Sequence, residues 1–356
     1  MSQKTICFYP TNQKRTNHFL FNLSKLLEAS GNFKCVGYKD IKKESPKRIF
    51  SADIYHINWF DQSKDVVSFL KRLYFLVMLK LKGKKIVWTI HNIVSHAKTP
   101  FYNKILFALL VRFSDAIHIM CRETVPFAHL ERFGAKVRLI PHGDYYGSYP
   151  EGDFDVRKHY GIESDRPIFL FMGAVQPYKN IEVLVRAFRE AFGGMDSADS
   201  PVLLVCGKVE PDSYKATITE LVGKSGDVVF SPEFIPDEHL ASYLRAASIL
   251  VAPYSYRSSL NSGTIPLAFT FGKTLICPDI PCVKDIVAEC DCLYSYHYAN
   301  TEEHVKVLSE KMLQAMSDMK SGLILEKMAL AADYMKRNSW EAHRTEWIQL
   351  YGGSPC

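Results

Sequence analysis

At 356 residues the chain exceeds what one ordinary core organises, so two domains are expected; a composition 47% hydrophobic and 23% charged excludes a disordered chain. The net charge of +6 is unevenly divided: residues 1–150 hold 24 Lys+Arg against 10 Asp+Glu, a net of +14, and the remainder nets −8. That asymmetry predicts that the first half meets something anionic; nucleic acid, an acidic membrane surface and phosphorylated substrates all satisfy it.

The opening MSQKTICFYP lacks the apolar core of a signal peptide. KTICFYP (4–10) reads as a short buried strand, followed by the polar loop TNQKRTN and the helical pattern HFLFNLSKLLEAS closed by Gly31. FKCVGY (33–38), DIYHINW (53–59) and KKIVWTIHN (84–92) predict further strands. Between the last two, residues 65–85 form a helical stretch carrying Lys71, Arg72, Lys80, Lys82, Lys84 and Lys85. A helix over 102–113, a strand over 116–120, a short helix and a strand over 136–144 complete the first half. Strands alternating with helices predict a parallel α/β sheet with right-handed crossovers.

YYGSYPEGDFD breaks the pattern near 145–160 and is expected to be a linker. The alternation then restarts with strand 167–173, helix 180–192, strand 201–207, helix 213–222, strand 228–234, helix 237–247 and strand 248–254. A polar loop, a helix and strand 274–279 follow, then a helical segment over 302–335. The expected organisation is a first Rossmann-like domain (1–150), a second (151–335) and a C-terminal helix (336–356) that returns to the first. Ligands in such sheets bind beyond the carboxyl ends of the strands. No apolar run is long enough to span a bilayer. The nine cysteines form no C-x-x-C pair, and Cys290 and Cys292 have neither zinc nor redox spacing, so no metal and a reducing compartment are expected.

Two loops carry the chemical signal. In YRSSLNSGTIPLAFTFGK (256–273), the small polar residues Ser258, Ser259, Asn261, Ser262, Gly263 and Thr264 stand ahead of an apolar helix. A helix start holds anions and glycine admits them to the backbone, although a polar loop with one cap explains the same letters. In FMGAVQPYKN (171–180), Lys179 precedes a helix and can reach a phosphate, or it is solvated beside an Asn180 cap. Neither G-x-x-x-x-G-K-[ST] nor G-x-G-x-x-G occurs, which removes the main support for a nucleoside triphosphatase or a dinucleotide enzyme.

FLFMGAVQPYKNIEVLVRAF, LLVCGK, FIPDEHLASYLRAASILVAPY and SLNSGTIPLAFTFGKTLICPD together resemble the donor half of GT-B glycosyltransferases of the family-4-like group. DIYHINWF, VWTIHNIVSH and RLIPHGDYYGSYP resemble a bacterial subgroup that builds exopolysaccharides and glycolipids, some members of which are GDP-mannose-dependent β-mannosyltransferases. The resemblance implies an α/β GT-B fold, two Rossmann-like domains whose parallel sheets face an interdomain cleft. It implies that Lys179, Asn261, Ser262, Gly263 and Thr264 hold the donor diphosphate. Gly173, Tyr178, Ser258, Ser259, His142 and Lys208 would lie near the donor sugar, and Phe234 and Ile235 near the base. The expected co-substrate is a nucleotide diphosphate sugar, with no cofactor and no metal.

The chain departs from that pattern at the usual Glu-x7-Glu, where Ser259 and Leu267 stand, and at the usual arginine, where Ala174 stands. The missing first carboxylate favours inversion over retention. An inverting transfer needs a base for the acceptor hydroxyl. His91, Asp61 and Glu123 are the candidates, with His96 and Asp144 behind them; His91 equally satisfies backbone at a strand end. The basic stretch 64–85 suits an anionic membrane surface and hence a lipid-linked or oligosaccharide acceptor at the cytoplasmic face, or else is an ordinary packed helix. A non-catalytic sugar- or nucleotide-binding protein and a nucleotide-sugar epimerase share this fold. Nucleic acid is not expected, since no recognisable binding module accompanies the charge.

Overall fold

The computed structural model describes residues 3–13, 18–92, 100–195, 200–223, 226–256 and 259–354, and the chain divides into two compact units, 1–143 with 338–356 and 144–337. In the first, strands β1 (Lys4–Tyr9), β2 (Phe33–Gly37), β3 (Ile54–Asn58), β4 (Lys85–Thr89), β5 (Ala116–Ile119) and β6 (Val137–Leu139) form one parallel sheet in the order β2-β1-β3-β4-β5-β6. All five residues of β3 are buried, the continuous burial of a central parallel strand covered on both faces. The strand expected over 136–144 is much shorter. Ile140 still donates to Ile119 O, but Pro141 has no N–H with which to continue the ladder.

In the second unit, β7 (Ile168–Met172), β8 (Val202–Cys206), β9 (Val228–Ser231), β10 (Ile249–Val251), β11 (Leu275–Pro278) and β12 (Tyr294–Tyr296) form a parallel sheet in the order β12-β11-β10-β7-β8-β9. Two parallel six-stranded sheets flanked by helices are the α/β architecture expected from the alternation. In each sheet the order reverses once, between β1 and β3 in the first and between β7 and β10 in the second. Neighbouring strands at such a reversal send their loops to opposite faces, which opens a crevice at their carboxyl ends.

The helical segment expected over 302–335 is two helices, Thr301–Ser321 and Ile324–Arg337, because Gly322 adopts φ +83 and caps the first. Helices Tyr38–Glu44 and Pro281–Glu289 and strand β12 were not foreseen. The stretch 145–155 is held on the second unit: Tyr145 N donates to Thr270 Oγ1 at 3.0 Å and Gly152 O accepts from Ser242 Oγ at 3.1 Å. A short helix, Val156–Tyr160, follows it.

A buried polar chain crosses the first sheet. His118 Nε2 lies 2.8 Å from Ile140 O, which accepts only, so that nitrogen carries the proton and Nδ1 is an acceptor. Thr89 Oγ1, 3.0 Å away, therefore donates to His118 Nδ1 and accepts from His56 Nε2 at 2.6 Å. His56 Nδ1 then accepts from Tyr351 Oη at 2.8 Å. Every proton has one place, and the chain ties the C-terminal helix Arg344–Leu350 and its following turn to β3, β4 and β5. Burial holds His56 well below the ordinary imidazole range and lowers His118 from 6.5 to about 4.

Because the folded values are depressed, the unfolded chain binds protons that the native one refuses. The stabilisation is complete above about pH 6.5 and is lost as pH falls toward about 4. Thermal melts are expected to fall across that window, and to go on falling below it as His56 is forced to take up its proton. Tyr351→Phe strands a buried acceptor and should cost about 1–3 kcal/mol in urea unfolding at pH 7; an unchanged midpoint would refute this order of protons.

Candidate functional site

In the second unit, the loops leaving β7 and β10 flank the point where strand order reverses. β7 is followed by Gly173, whose φ is +117, and β8 by Gly207 at φ +144. A Cβ on Gly207 would collide with Gly173 O, so these strand ends approach more closely than any side chain permits. Pro177–Lys179 then makes a single 3-10 turn into the helix Ile181–Phe192.

Asn180, expected as a conventional cap, adopts a left-handed conformation with φ 55 and makes no side-chain cap. Its Nδ2 instead donates to Pro253 O at 2.8 Å and ties the β7 loop to the β10 loop. That strut positions Lys179. Its Nζ sits 5.6 Å from the centroid of Phe171 and 5.8 Å from that of Tyr254, and a Cβ on Gly173 would lie 3.4 Å from it. Among the described residues it has no hydrogen-bond acceptor and no carboxylate partner. Burial without a counter-charge lowers it from 10.5 to about 8.

Tyr254 is the other hub. Its buried Oη accepts from Ser262 Oγ at 3.1 Å and donates to Thr264 Oγ1 at 2.9 Å, while Thr264 N donates to Ser262 Oγ at 3.2 Å. The amide expected to stand open at the helix start is therefore satisfied by the loop's own hydroxyl. The helix, Thr264–Thr270, is only seven residues long, so its dipole is weak. Gly263 is exposed, Asn261 half-buried, and a Cβ on Gly263 would come within 3.2 Å of Tyr145 Oη. The common feature of the two loops is thus a ring of hydroxyls and one unpaired ammonium around Tyr254.

The remaining expected donor-side residues are dispersed. Lys208 pairs with Glu210 at 3.0 Å, so its charge is already met. Tyr178 and Phe234 are exposed, Ile235 is half-buried against the core, and Ser259 is buried beside Leu260. Leu267, at the second carboxylate position of the resembled pattern, is also buried in the core. Ser258 and Arg257 lie outside the described residues, as does His96. Asp237 is the first residue of its helix and Pro236 the cap.

In the first unit, Asp61, His91 and Glu123 lie on the loops leaving β3, β4 and β5. His91 Nε2 donates to Asn58 Oδ1 at 2.8 Å, an orientation set because Asn58 Nδ2 donates to Tyr9 O at 3.2 Å. Nδ1 is consequently the basic nitrogen. Burial, reinforced by His118, His56 and His142, keeps the imidazole well below its usual range, neutral but weakly basic. Burial pushes the Asp61 carboxyl up while Arg72 opposes it. Glu123 is exposed at the start of the turn Thr124–Phe127. His142, expected near the donor, belongs to the first unit: its Nδ1 donates to Gly143 O at 2.7 Å and its ring packs on Phe19. Asp144 Oδ1 accepts from Tyr146 N.

Among the described residues no group of three or more His, Cys, Asp or Glu is placed to hold a metal. A cavity of 560 Å³ lined by Lys80, Arg112, Ser114, Asp115 and Lys136 lies away from the strand carboxyl ends. Two of its cations are already engaged, Lys80 with Asp115 and Lys136 with the carbonyls of Val111, Arg112 and Ser114.

Residues 153–329 match the model of the family described as glycosyl transferases group 1. Over 160 residues the chain is 32% identical to a D-inositol 3-phosphate glycosyltransferase of Streptomyces griseus, covering 42% of this chain and 32% of that one, and 32% identical to its namesake in Nocardia farcinica, covering 40% and 35%. The chain thus spans about a third of the length of these curated relatives. The fold is that of sucrose-phosphate synthase from Thermosynechococcus elongatus (TM-score 0.73, 17% identity, 98% of both chains) and of WaaG, a glycosyltransferase of lipopolysaccharide biosynthesis (0.65, 14%, 98% and 100%). It is also that of Anabaena HepE, solved with UDP-glucose (0.70, 10%, 98% and 99%).

The strut between the loops has a direct test. Asn180→Ala loses both the left-handed tolerance and the bond to Pro253 O, whereas Asn180→Gly loses only the bond. Both variants should lose stability, the alanine by roughly 1 kcal/mol more in chemical unfolding; equal losses would show that the backbone conformation is unstrained.

Proposed function

We propose that this GT-B chain is a glycosyltransferase that moves a sugar from a nucleoside diphosphate sugar to a glycan or lipid-linked acceptor at the cytoplasmic membrane face. The observation that carries the reading is Lys179: a half-buried ammonium set among aromatic rings, without a carboxylate partner among the described residues, at the strand-order reversal of the unit that matches the group 1 family. Keeping a cation in that state costs free energy that an anionic ligand returns. As the glycosidic bond breaks, negative charge grows on the leaving diphosphate, and a fixed ammonium stabilises it most at that moment. The hydroxyls of Ser262 and Thr264 turn from Tyr254 and from the Thr264 amide toward the same phosphates.

UDP-glucose in the HepE neighbour supports the donor class; GDP-mannose remains the donor suggested by the sequence resemblance. His91 is the proposed base, taking the acceptor proton on Nδ1. Inversion is favoured by the absence of carboxylates at the buried positions Ser259 and Leu267. The positive charge facing the diphosphate is supplied by the chain itself, so chelators should leave turnover unchanged.

Lys179→Ala is expected to lower donor turnover by about 30- to 150-fold, the roughly 2–3 kcal/mol of one preorganised donor. In the wild type, kcat/KM should fall as pH rises through about 8, where the free ammonium is lost. Lys179→Arg should remove that limb. A thermal-shift screen of GDP-, UDP-, ADP- and CMP-sugars identifies the base; no shift with any of them, or full activity in Lys179→Ala, defeats the assignment. Binding without transfer or hydrolysis would favour a non-catalytic role, and an altered sugar without acceptor an epimerase.

Membrane contact is supported by the helix Val66–Leu81. It buries Phe69, Phe75, Leu76 and Leu79 and exposes Val66, Val67, Leu70, Tyr74 and Leu81, with exposed Lys64, Lys71 and Lys82 beside them. No described helix is long and apolar enough to cross a bilayer. The chain should co-float with vesicles containing phosphatidylglycerol and less with neutral ones, and the double change Val67→Glu, Leu70→Glu should abolish flotation. Equal recovery of the double variant would exclude this face.

A further inference from the structure

We infer that Trp59 is a stacking platform for a pyranose ring of the acceptor. The inference rests on the glycosyltransferase reading for the identity of the ligand, but the residue is singled out by its own geometry. Trp59 follows β3 directly, at the strand-order reversal of the first sheet. Its φ is 50, a left-handed conformation that a bulky side chain adopts only at a cost and only when its surroundings impose it.

Those surroundings are specific. Arg72 Nη1 donates to both Trp59 O at 3.2 Å and Phe60 O at 2.6 Å, pinning the turn from the neighbouring helix. The indole lies parallel to the His91 imidazole, centroids 4.0 Å apart and planes 14° apart, and His91 is itself fixed by Asn58. One indole face is therefore covered by a ring held from two sides. The side chain nevertheless remains 39% exposed, whereas Trp88, Trp340 and Trp347 are 1%, 7% and 1% exposed.

The strained backbone thus holds a large apolar ring stacked on His91 yet partly in water, rather than folded into the core. It does present a flat, electron-rich face beside the basic nitrogen's own ring. A pyranose offers the complement: one face of axial C–H groups, weakly positive, that meets the negative face of an aromatic ring, with hydroxyls around the rim. A nucleobase belongs to the other unit on the glycosyltransferase reading, and an alkyl chain, though it gains from apolar contact, draws nothing from the polar imidazole beside the ring.

The exposure contrast provides a readout independent of activity, because among four tryptophans only Trp59 is open to solvent. Iodide quenching of tryptophan fluorescence in the full chain should fall by about half on adding methyl glycosides of glucose, mannose or galactose at high millimolar concentration. It should be unaffected by UDP or GDP. Saturation-transfer NMR should show magnetisation reaching the axial protons of one sugar face in the wild type and in Trp59→Phe. Trp59→Ala and Trp59→Gly should lose the signal, the glycine variant being the more stable of the two because it relieves the strain. With an active donor, Trp59→Ala should raise acceptor KM about fivefold to tenfold and leave donor hydrolysis within twofold.

Lys179→Ala should leave the glycoside effect intact, so a failed donor assignment and a failed platform are separable. No protection by any glycoside, protection by UDP or GDP alone, or a blue shift of Trp59 on vesicles without any glycoside effect would each overturn the proposal.

Discussion

Lys179, whose ammonium faces two aromatic rings and no carboxylate among the described residues, is a cation the fold has partly desolvated without compensating it. Natural interiors avoid that arrangement, and where it occurs the surroundings must hold it in place. In this chain the holding is visible at each step. Gly173 and Gly207 let β7 and β8 end in van der Waals contact of their backbones. Asn180 spends its side chain on the neighbouring loop rather than on its own helix. Tyr254 closes the ring by gathering the hydroxyls of Ser262 and Thr264. None of these features stabilises the sheet as such. Together they fix the turn that carries Lys179 between the loops leaving β7 and β10.

The first unit solves a different problem with neutral groups. Its buried polar residues form a chain with a single proton order from Tyr351 to Ile140 O, and a second pair, Asn58 and His91, uses the same logic at the sheet's reversal point. Low dielectric makes both arrangements stiff, since a misplaced proton leaves a donor facing a donor. Stiffness at Asn58 and His91 is what allows a strained, exposed indole to persist between them and the solvent. The packing that fixes the imidazole tautomer also fixes the plane of the ring above it.

Local patterns carried most of this fold. Apolar runs bounded by turns located strands such as KKIVWTIHN, and the 3.6-residue period located helices such as NIEVLVRAFREAF, because each signal lies within one segment. The missed elements have weak or conflicting signals: PCVKDIVAE begins with proline, and β12 is only three residues long. The Lys179 turn was legible because strand, glycine and lysine are contiguous. The role of Tyr254 was not, since its partners are defined by loop geometry. The histidine chain was beyond reach for a plainer reason, as His56 and Tyr351 are 295 residues apart and neither lies in a motif. Trp59 likewise looks like one more aromatic at a strand end until its φ and its exposure are known.

The charge split is only partly a matter of ligands, because much of it serves the architecture. Of the basic residues that make residues 1–150 so positive, several serve the architecture. Lys136 donates to the last carbonyls of the helix Phe101–Phe113, Lys85 to Leu350 O, Arg72 to the turn beneath Trp59, and Lys80 offsets Asp115. Cations at helix ends are favourable there without any ligand. Many others are exposed, and among them Lys64, Lys71 and Lys82 lie on or beside the helix that also exposes an apolar stripe. Charge of that kind acts through space at about a Debye length and adds to apolar contact rather than replacing it. Lys179, a cation set among aromatic rings at a strand-order reversal, lies in the half with the negative balance. A desolvated cation with its rings and a basic helix with its apolar stripe are thus built from different residues, and net charge cannot distinguish them.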